Sequence, residues 1–209
     1  MLFAVKLFDR DDPGGALRDA NRADHLDYLS SFEDRTLFAG PILTGDRSKE
    51  LGSHRLIDLK DRAEAEAHVA GEPYVLGGLQ YGAEIHPWSA SLACSWRDCP
   101  RTEGNAQFLI PAIDKPGNDE LRDELRDELR AEHEAYQAGF AHLYMTRGPL
   151  LSGDGNRQIG SLMIIDVPDL AAAKTFWDGE PFNTGGLFER VEFYGWRFGR
   201  VFDRFNRVD

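Results

Sequence analysis

An internal repeat is the feature that most constrains the fold of this chain. When the sequence is shifted by 108 residues, its two halves align without a gap, and about 30 of the 88 pairs from Met1 to Trp88 are identical. Unrelated sequences share far fewer residues, so the chain is a tandem duplication. The pattern predicts a first repeat at residues 1–90, a connector at residues 91–105 and a second repeat at residues 106–209.

Each repeat shows the same order of elements. A short apolar strand comes first, and a long amphipathic helix follows it. A strand that stops at Gly-Pro, a second strand, an alanine-rich helix and a final strand complete the repeat. The order β-α-β-β-α-β predicts an α+β, ferredoxin-like unit. Its sheet carries helices on one face and must bury the other, and the second repeat offers the partner surface within the same chain.

Composition excludes several classes of function. The formal net charge is -12, and a surface this acidic repels nucleic-acid phosphates and anionic lipids. The sequence contains no apolar run of the roughly 18 to 20 residues that a membrane span needs. Its first residues lack a basic region typical of a signal peptide. We therefore expect a cytoplasmic protein without nucleic-acid or membrane partners, in which Cys94 and Cys99 are free thiols of the connector.

The most repetitive stretch is the triple DELR that opens the first helix of the second repeat. Its leucines recur every four residues, so Leu121, Leu125 and Leu129 form one slowly drifting stripe on a helix. The stripe continues to His133, and the corresponding stripe of the first repeat reaches His25. A coiled-coil seam would need sustained heptad spacing, which is absent. The run predicts a helix whose leucines anchor it on the sheet and whose histidine faces that sheet.

Both first helices carry the motif R-A-[DE]-H-x-x-Y. An inert, packed histidine is one interpretation, and its recurrence in both repeats favours a functional one. The arginines could hold an anionic substrate or form surface ion pairs, and the tyrosines could supply a hydroxyl or only pack. The motif residues are Arg22, His25 and Tyr28 in the first repeat and Arg130, His133 and Tyr136 in the second.

In the order and spacing of these features, each half resembles the YCII-related family of the dimeric α+β barrel class. The shared features are an opening strand, R-x-x-H on the first helix, a following Gly-Pro, a Gly-Asp and an acidic-Pro-aromatic step. Members of the family usually pair two subunits across their sheets, so the resemblance implies an intrachain barrel here. The acidic-Pro step looks like Asp-Pro in the relatives, whereas Glu72 and Glu180 precede proline in this chain.

The resemblance also implies a cleft beside the first helix with a histidine–aspartate pair. We assign this pair to His25 with Asp46 and to His133 with Asp154. Histidine titrates near neutral pH, and a carboxylate on its far nitrogen fixes the tautomer. Each aspartate follows a glycine and could equally be a turn residue. Glu72 and Glu180 are candidate substrate-binding groups or turn residues.

Together these features predict a small enzyme that uses acid–base chemistry of the isomerase, dehydrohalogenase or lyase type. Its expected ligand is a small anionic ring or lactone, without a metal or other cofactor. Two alternatives stay open: a non-catalytic metabolite-binding or assembly module, and a monooxygenase that needs no cofactor. The sequence fits a monomer that acts as an intrachain pseudo-dimer or a homo-oligomer of that unit.

Overall fold

A computed structural model describes residues 1–12, 15–92, 94–117 and 119–205. Both repeats have the expected order of elements, with one extra short helix before the final strand. Two details differ: the strand that was expected to stop at Gly-Pro continues past the proline in both repeats, and the final strand of the second repeat is divided in two. The first repeat consists of β1 Leu2–Asp9, α1 Ala16–Ser30, β2 Thr36–Leu43, β3 Glu50–Asp58, α2 Arg62–Ala70, α3 Pro73–Leu76 and β4 Gln80–Pro87. The second consists of β5 Ala106–Asp114, α4 Asp119–Gly139, β6 Tyr144–Leu151, β7 Gln158–Val167, α5 Leu170–Asp178, α6 Pro181–Thr184, β8 Phe188–Val191 and β9 Tyr194–Trp196, followed by α7 Val201–Phe205.

The strands form one antiparallel sheet in the order β4-β1-β3-β2-β9-β5-β7-β6, with β8 paired to β5. The last strand of the second repeat joins the first repeat, where Trp196 pairs with Ile42. On the other side, Trp88 bridges Leu150. These two contacts are equivalent under the 108-residue shift, so the two sheets meet at two related seams. The chain is an intrachain dimeric α+β barrel.

Apolar side chains from both repeats fill the interior of the barrel. Alternate residues of the strands point inward, as the two-residue period of a strand requires. The cluster includes both seam tryptophans, and Trp196 has no exposed surface. Its buried members are Ala4, Phe38, Ile42, Leu56, Trp88, Cys99, Leu109, Met145, Leu150, Leu162, Ile164 and Trp196.

Two cysteines of the connector are free thiols, as expected. Cys94 is half-buried, and Cys99 packs in the barrel cluster. Burial raises the pKa of Cys99 to about 11, so this thiol stays protonated at neutral pH. Within the described residues, no helix is long and apolar enough to cross a membrane.

The alignment of the repeats needs one correction. Phe3 pairs with Ile57 in the first sheet, and Phe108 pairs with Ile165 in the second. The isoleucines are 108 residues apart, whereas the phenylalanines are 105 apart. The ungapped shift was therefore wrong over the first strand, because the second repeat has three additional residues between Asp114 and the part of α4 that aligns with α1. Similar apolar composition hid the offset, since most residues of both strands suit either alignment.

The leucine stripe of α4 is also only partly confirmed. Leu125 and Leu129 are half-buried, whereas Leu121 is 62% exposed. A four-residue step advances about 40° around a helix, so two steps carry Leu121 away from the sheet. The most buried residue of this segment is Arg126, which is only 5% exposed.

The glycines of both Gly-Pro steps allow the seams to close. A Cβ atom on Gly40 would lie 1.9 Å from the carbonyl oxygen of Arg197, and one on Gly148 would lie 1.8 Å from that of Ser89. Such distances are far inside van der Waals contact. Only glycine lets the two backbones approach this closely.

We predict that Gly40→Ala will lower the free energy of unfolding by about 2 kcal/mol, because the backbone must move to accept the methyl group. Urea denaturation measures the change. Gly139→Ala is the matched control, since no atom lies within 4 Å of its Cβ position. A Gly40→Ala protein as stable as this control would contradict the role of the glycine.

Candidate functional site

The histidine of each first helix bonds a glutamate. His25 Nδ1 lies 2.7 Å from Glu72 Oε1, and His133 Nδ1 lies 2.6 Å from Glu180 Oε1. Both glutamates are buried, with 0% and 2% exposure. An ionised carboxylate can only accept, so Nδ1 donates when the glutamate is charged. The two repeats therefore carry the same histidine–glutamate pair.

The Glu-Pro-aromatic step explains how each carboxylate is positioned. Glu72 and Glu180 are the N-caps of α3 and α6, where proline occupies the first helical position. The Glu72 side chain accepts a hydrogen bond from the Tyr74 backbone N–H at 3.1 Å, and Glu180 accepts one from Asn183 N–H at 2.8 Å. Capping thus fixes the rotamer that holds the histidine.

An aromatic ring of the same step stacks on each histidine. Tyr74 lies on His25 and Phe182 lies on His133, each with ring centroids 3.9 Å apart and 15° between the planes. The imidazole is therefore fixed by a hydrogen bond at one edge and by a ring on one face. Both contacts recur with nearly the same geometry, which packing of unrelated side chains would not produce.

The predicted histidine–aspartate pairing was wrong. Asp46 accepts hydrogen bonds from Thr44 Oγ1, from Ser48 N–H at 3.1 Å and from Ser48 Oγ at 2.8 Å. Asp154 does the same with Ser152 Oγ and Asn156 N–H. These bonds, led by that from Thr44, hold the pKa of Asp46 at about 2. Both aspartates are turn formers between two strands, because an Asp side chain readily bonds the backbone two residues on.

The arginines and tyrosines of the motif take different positions. Arg22 and Arg130 line the clefts beside the histidines. Each also pairs with an aspartate one turn earlier, Arg22 with Asp19 at 2.6 Å and Arg130 with Asp127.

The motif tyrosines point to the neighbouring helices. Tyr28 Oη donates to the carbonyl of His68 at 2.9 Å, and Tyr136 Oη donates to that of Phe176 at 2.5 Å. The tyrosines brace the first helix against the second helix of each repeat.

In the first repeat, two further residues that sequence reasoning missed join the network around the histidine–glutamate pair. Arg55 forms a buried ion pair with Glu72 Oε2, and its Nη1 lies 3.1 Å from His68 Nε2. The equivalent positions in the second repeat hold Met163 and Phe176. An arginine in the middle of a strand, directly before the apolar Leu56 and Ile57, was the available signal for this partner.

These charges set the protonation of the first pair. Burial alone would raise the pKa of Glu72, but Arg55 and His25 together lower it to about 2. Burial lowers the pKa of His25, and the bond to Glu72 offsets part of that effect. At neutral pH the pair therefore consists of a carboxylate and a neutral imidazole.

Each pair borders a cleft between the first helix and the sheet. The first-repeat cleft is lined by Arg18, Arg22, His25 and Tyr74, and by Arg197, Gly199, Arg200 and Val201 of the tail. Its cavity volume is about 70 Å³. The second-repeat cleft has a volume of about 370 Å³. It is lined by Arg126, Arg130, His133, Arg147, Trp177, Glu180 and Phe182, among others.

The clefts offer no evident metal centre. Among the described residues, no group of three or more His, Cys, Asp or Glu side chains is arranged to hold a metal ion. Each cleft contains arginines and a histidine, which suit the binding of anions and the transfer of protons.

The barrel and its paired clefts define a protein of the dimeric α+β barrel class. The YCII-related domain family matches residues 1–89 and 106–197, so the chain belongs to this family and carries its domain twice. No curated protein sequence matches the chain.

Several solved structures share the fold. A chlorite dismutase mutant from Candidatus Nitrospira defluvii, in complex with cyanide, is 11% identical with a TM-score of 0.65, over 99% of this chain and 95% of that one. A haem-binding protein from Thermus thermophilus is 11% identical with a TM-score of 0.55, over 97% and 94%. At these identities the likeness shows the fold alone.

A shorter relative aligns with less than half of the chain. The 5-chloro-2-hydroxyhydroquinone dehydrochlorinase from Burkholderia phenoliruptrix AC1100, in complex with 2,5-dihydroxybenzoquinone, is 28% identical. The alignment covers 43% of this chain and 94% of that chain, with a TM-score of 0.38.

We predict that Glu72→Gln will cost about 3 kcal/mol of stability, because it leaves the buried Arg55 without its ion-pair partner. Glu180→Gln is the matched comparison and should cost only about 1 kcal/mol, since Met163 replaces that arginine. Chemical denaturation of both variants measures the difference. Equal losses would show that Arg55 does not distinguish the two pairs.

Proposed function

We propose that this protein is an enzyme that moves protons on a small ring or lactone substrate, with the histidine–glutamate pair as its acid–base group. The observation that carries the proposal is the duplicated hydrogen bond, 2.7 Å between His25 and Glu72 and 2.6 Å between His133 and Glu180. Duplicated copies diverge at most positions, yet both keep the pair, the capping geometry and the stacked ring.

The tautomer follows from the partners. Because Nδ1 donates to the carboxylate, Nε2 is the nitrogen left with a lone pair. A neutral imidazole with this orientation is a base of suitable strength at neutral pH. When it takes a proton, the adjacent carboxylate stabilises the imidazolium that forms. The stacked aromatic ring keeps the imidazole plane fixed during the transfer.

Two reaction types suit a histidine–glutamate pair beside arginines. In a dehydrohalogenation, Nε2 removes a proton from the substrate, the electron pair of the broken bond forms a double bond, and the halide leaves with its own pair. In an isomerisation, the imidazolium returns the proton to another atom of the same substrate. Both reactions balance without an oxidant or a reductant. The arginines at the clefts would hold the anionic form of the substrate.

A non-catalytic role is favoured for one cleft only. The first-repeat cavity of about 70 Å³ is far below the roughly 300–1,000 Å³ typical of ligand pockets, whereas the second-repeat cavity of about 370 Å³ falls within that range. Tail residues line the smaller cleft, and Arg55 of that cleft is already paired with Glu72. We therefore assign the reaction to the second repeat.

We predict that His133→Ala will reduce the rate at least 100-fold, because general acid–base catalysis contributes about 10²–10⁴-fold. His25→Ala should retain most of the activity. Suitable substrates are chlorinated hydroxyquinols and muconolactone-type lactones. Chloride release measures the reaction of the former, and the loss of the starting absorbance measures that of the latter.

The combined Asp46→Asn and Asp154→Asn protein is the matched control, since both aspartates only form turns. A His133→Ala, His25→Ala double variant with wild-type turnover would refute acid–base catalysis by these residues. Oxygen uptake with quinols that survives in this double variant would instead support the monooxygenase alternative.

A further inference from the structure

A second pair of equivalent ion pairs lies under the first helices. Arg18 of α1 bonds Asp9 at the end of β1, and Arg126 of α4 bonds Asp114 at the end of β5. The corrected alignment of the first strands makes the two aspartates equivalent, because they follow Phe3 and Phe108 at the same distance. The two ion pairs therefore descend from one ancestral contact, and their surroundings can be compared residue by residue.

In the first repeat both members of the ion pair find further partners. Glu50 Oε2 lies 3.1 Å from Arg18 Nη1, and the other oxygen of Glu50 pairs with Arg197. Gln80 Nε2 donates to Asp9 Oδ1 at 3.0 Å. The Arg18 guanidinium and the Asp9 carboxylate thus each have a further partner within the protein.

In the second repeat these partners are missing. Gln158 replaces Glu50, and Phe188 replaces Gln80. The Gln158 amide donates to the carbonyl of Gly160 at 3.1 Å instead. Within the described part of the chain, Arg126 Nε and Nη1 and Asp114 Oδ1 accordingly have no hydrogen-bond partner.

Arg126, which keeps its ion pair with Asp114 but has two unpartnered nitrogens among the described residues, is buried beside the larger cleft. Arg126 is only 5% exposed and lines the cavity of about 370 Å³. Asp123 Oδ1 is 3.6 Å from its Nη1, outside hydrogen-bond distance, and the Asp123 side chain is 65% exposed. A buried charged group with unsatisfied N–H donors is destabilising, so a hydrogen-bond acceptor from outside the chain would bind favourably there.

Other groups of the same cleft favour a planar anion. Arg130 and Arg147 add positive charge, and Glu134 is the acidic side chain not already bonded to a histidine. Trp177 offers an aromatic surface, and its indole N–H is unpartnered among the residues that the structure describes. The equivalent positions of the first repeat include Ala39 and Val69, which provide neither charge nor ring.

We propose that the second-repeat cleft binds a small cyclic carboxylate. The carboxylate of this ligand lies next to Arg126, in the position that corresponds to the Glu50 carboxylate next to Arg18. The inference deepens the proposed function by naming a carboxylate as the anionic group and Arg126 as its partner, and it rests on that function only for the view that this cleft is the reaction site. Binding itself requires no catalysis, so the two can be tested separately.

The test is calorimetric titration of the protein with benzoate and with its neutral counterpart benzamide. We expect benzoate to bind at least tenfold more tightly than benzamide. Gln158→Glu supplies the missing carboxylate from within the chain, so it should weaken benzoate binding at least tenfold without lowering the melting temperature. Glu50→Gln is the matched control in the other repeat and should leave benzoate affinity within twofold.

A second measurement does not depend on any variant. On addition of benzoate to the wild-type protein, the NMR signal of the Arg126 Nε–H group should shift while that of Arg18 stays in place. Absence of benzoate binding, equal binding of benzamide, or wild-type affinity in Gln158→Glu would each overturn the inference. If benzoate fails to bind while His133→Ala abolishes turnover, the proposed function is supported and only the carboxylate site is refuted.

Discussion

The fold depends on two tryptophans that lie in the sheet of the opposite repeat. Trp196 pairs with Ile42, and Trp88 bridges Leu150, so each repeat completes the edge of the other. An exposed strand edge is prone to uncontrolled pairing, and closing the sheet removes that liability. Glycines at the crossing points let the backbones meet. Everything outside the barrel, including both clefts, is built on this closed support.

On that support, a short segment determines the chemistry of each cleft. The Glu-Pro-aromatic step starts a helix of only four residues. Its glutamate bonds the histidine, its proline fixes the backbone, and its aromatic ring stacks on the imidazole. The capping bond from a backbone N–H holds each glutamate carboxylate within reach of the imidazole ring.

Sequence reasoning could predict the duplication and the histidines, because repetition and apolar periodicity record packing directly, and the resemblance to the YCII-related family implied the barrel. It could not identify the carboxylate partner, since the path of the loop that carries Asp46 depends on contacts between distant strands. The Arg126–Asp114 pair was missed because a charged residue within a DELR run looks like a solvated one. Only the burial of α4 against the sheet separates Arg126 from its exposed neighbours.

Covalent fusion of the two halves has an evolutionary consequence. In a symmetric homodimer every substitution appears in both clefts at once, so a change that benefits one site is imposed on the other. Here Arg55 faces its glutamate in one repeat while methionine stands in its place in the other. A single gene can thus keep the Arg55–Glu72 ion pair in one cleft while substitutions adapt the other cleft to new ligands. Identical subunits cannot change one cleft without changing the other.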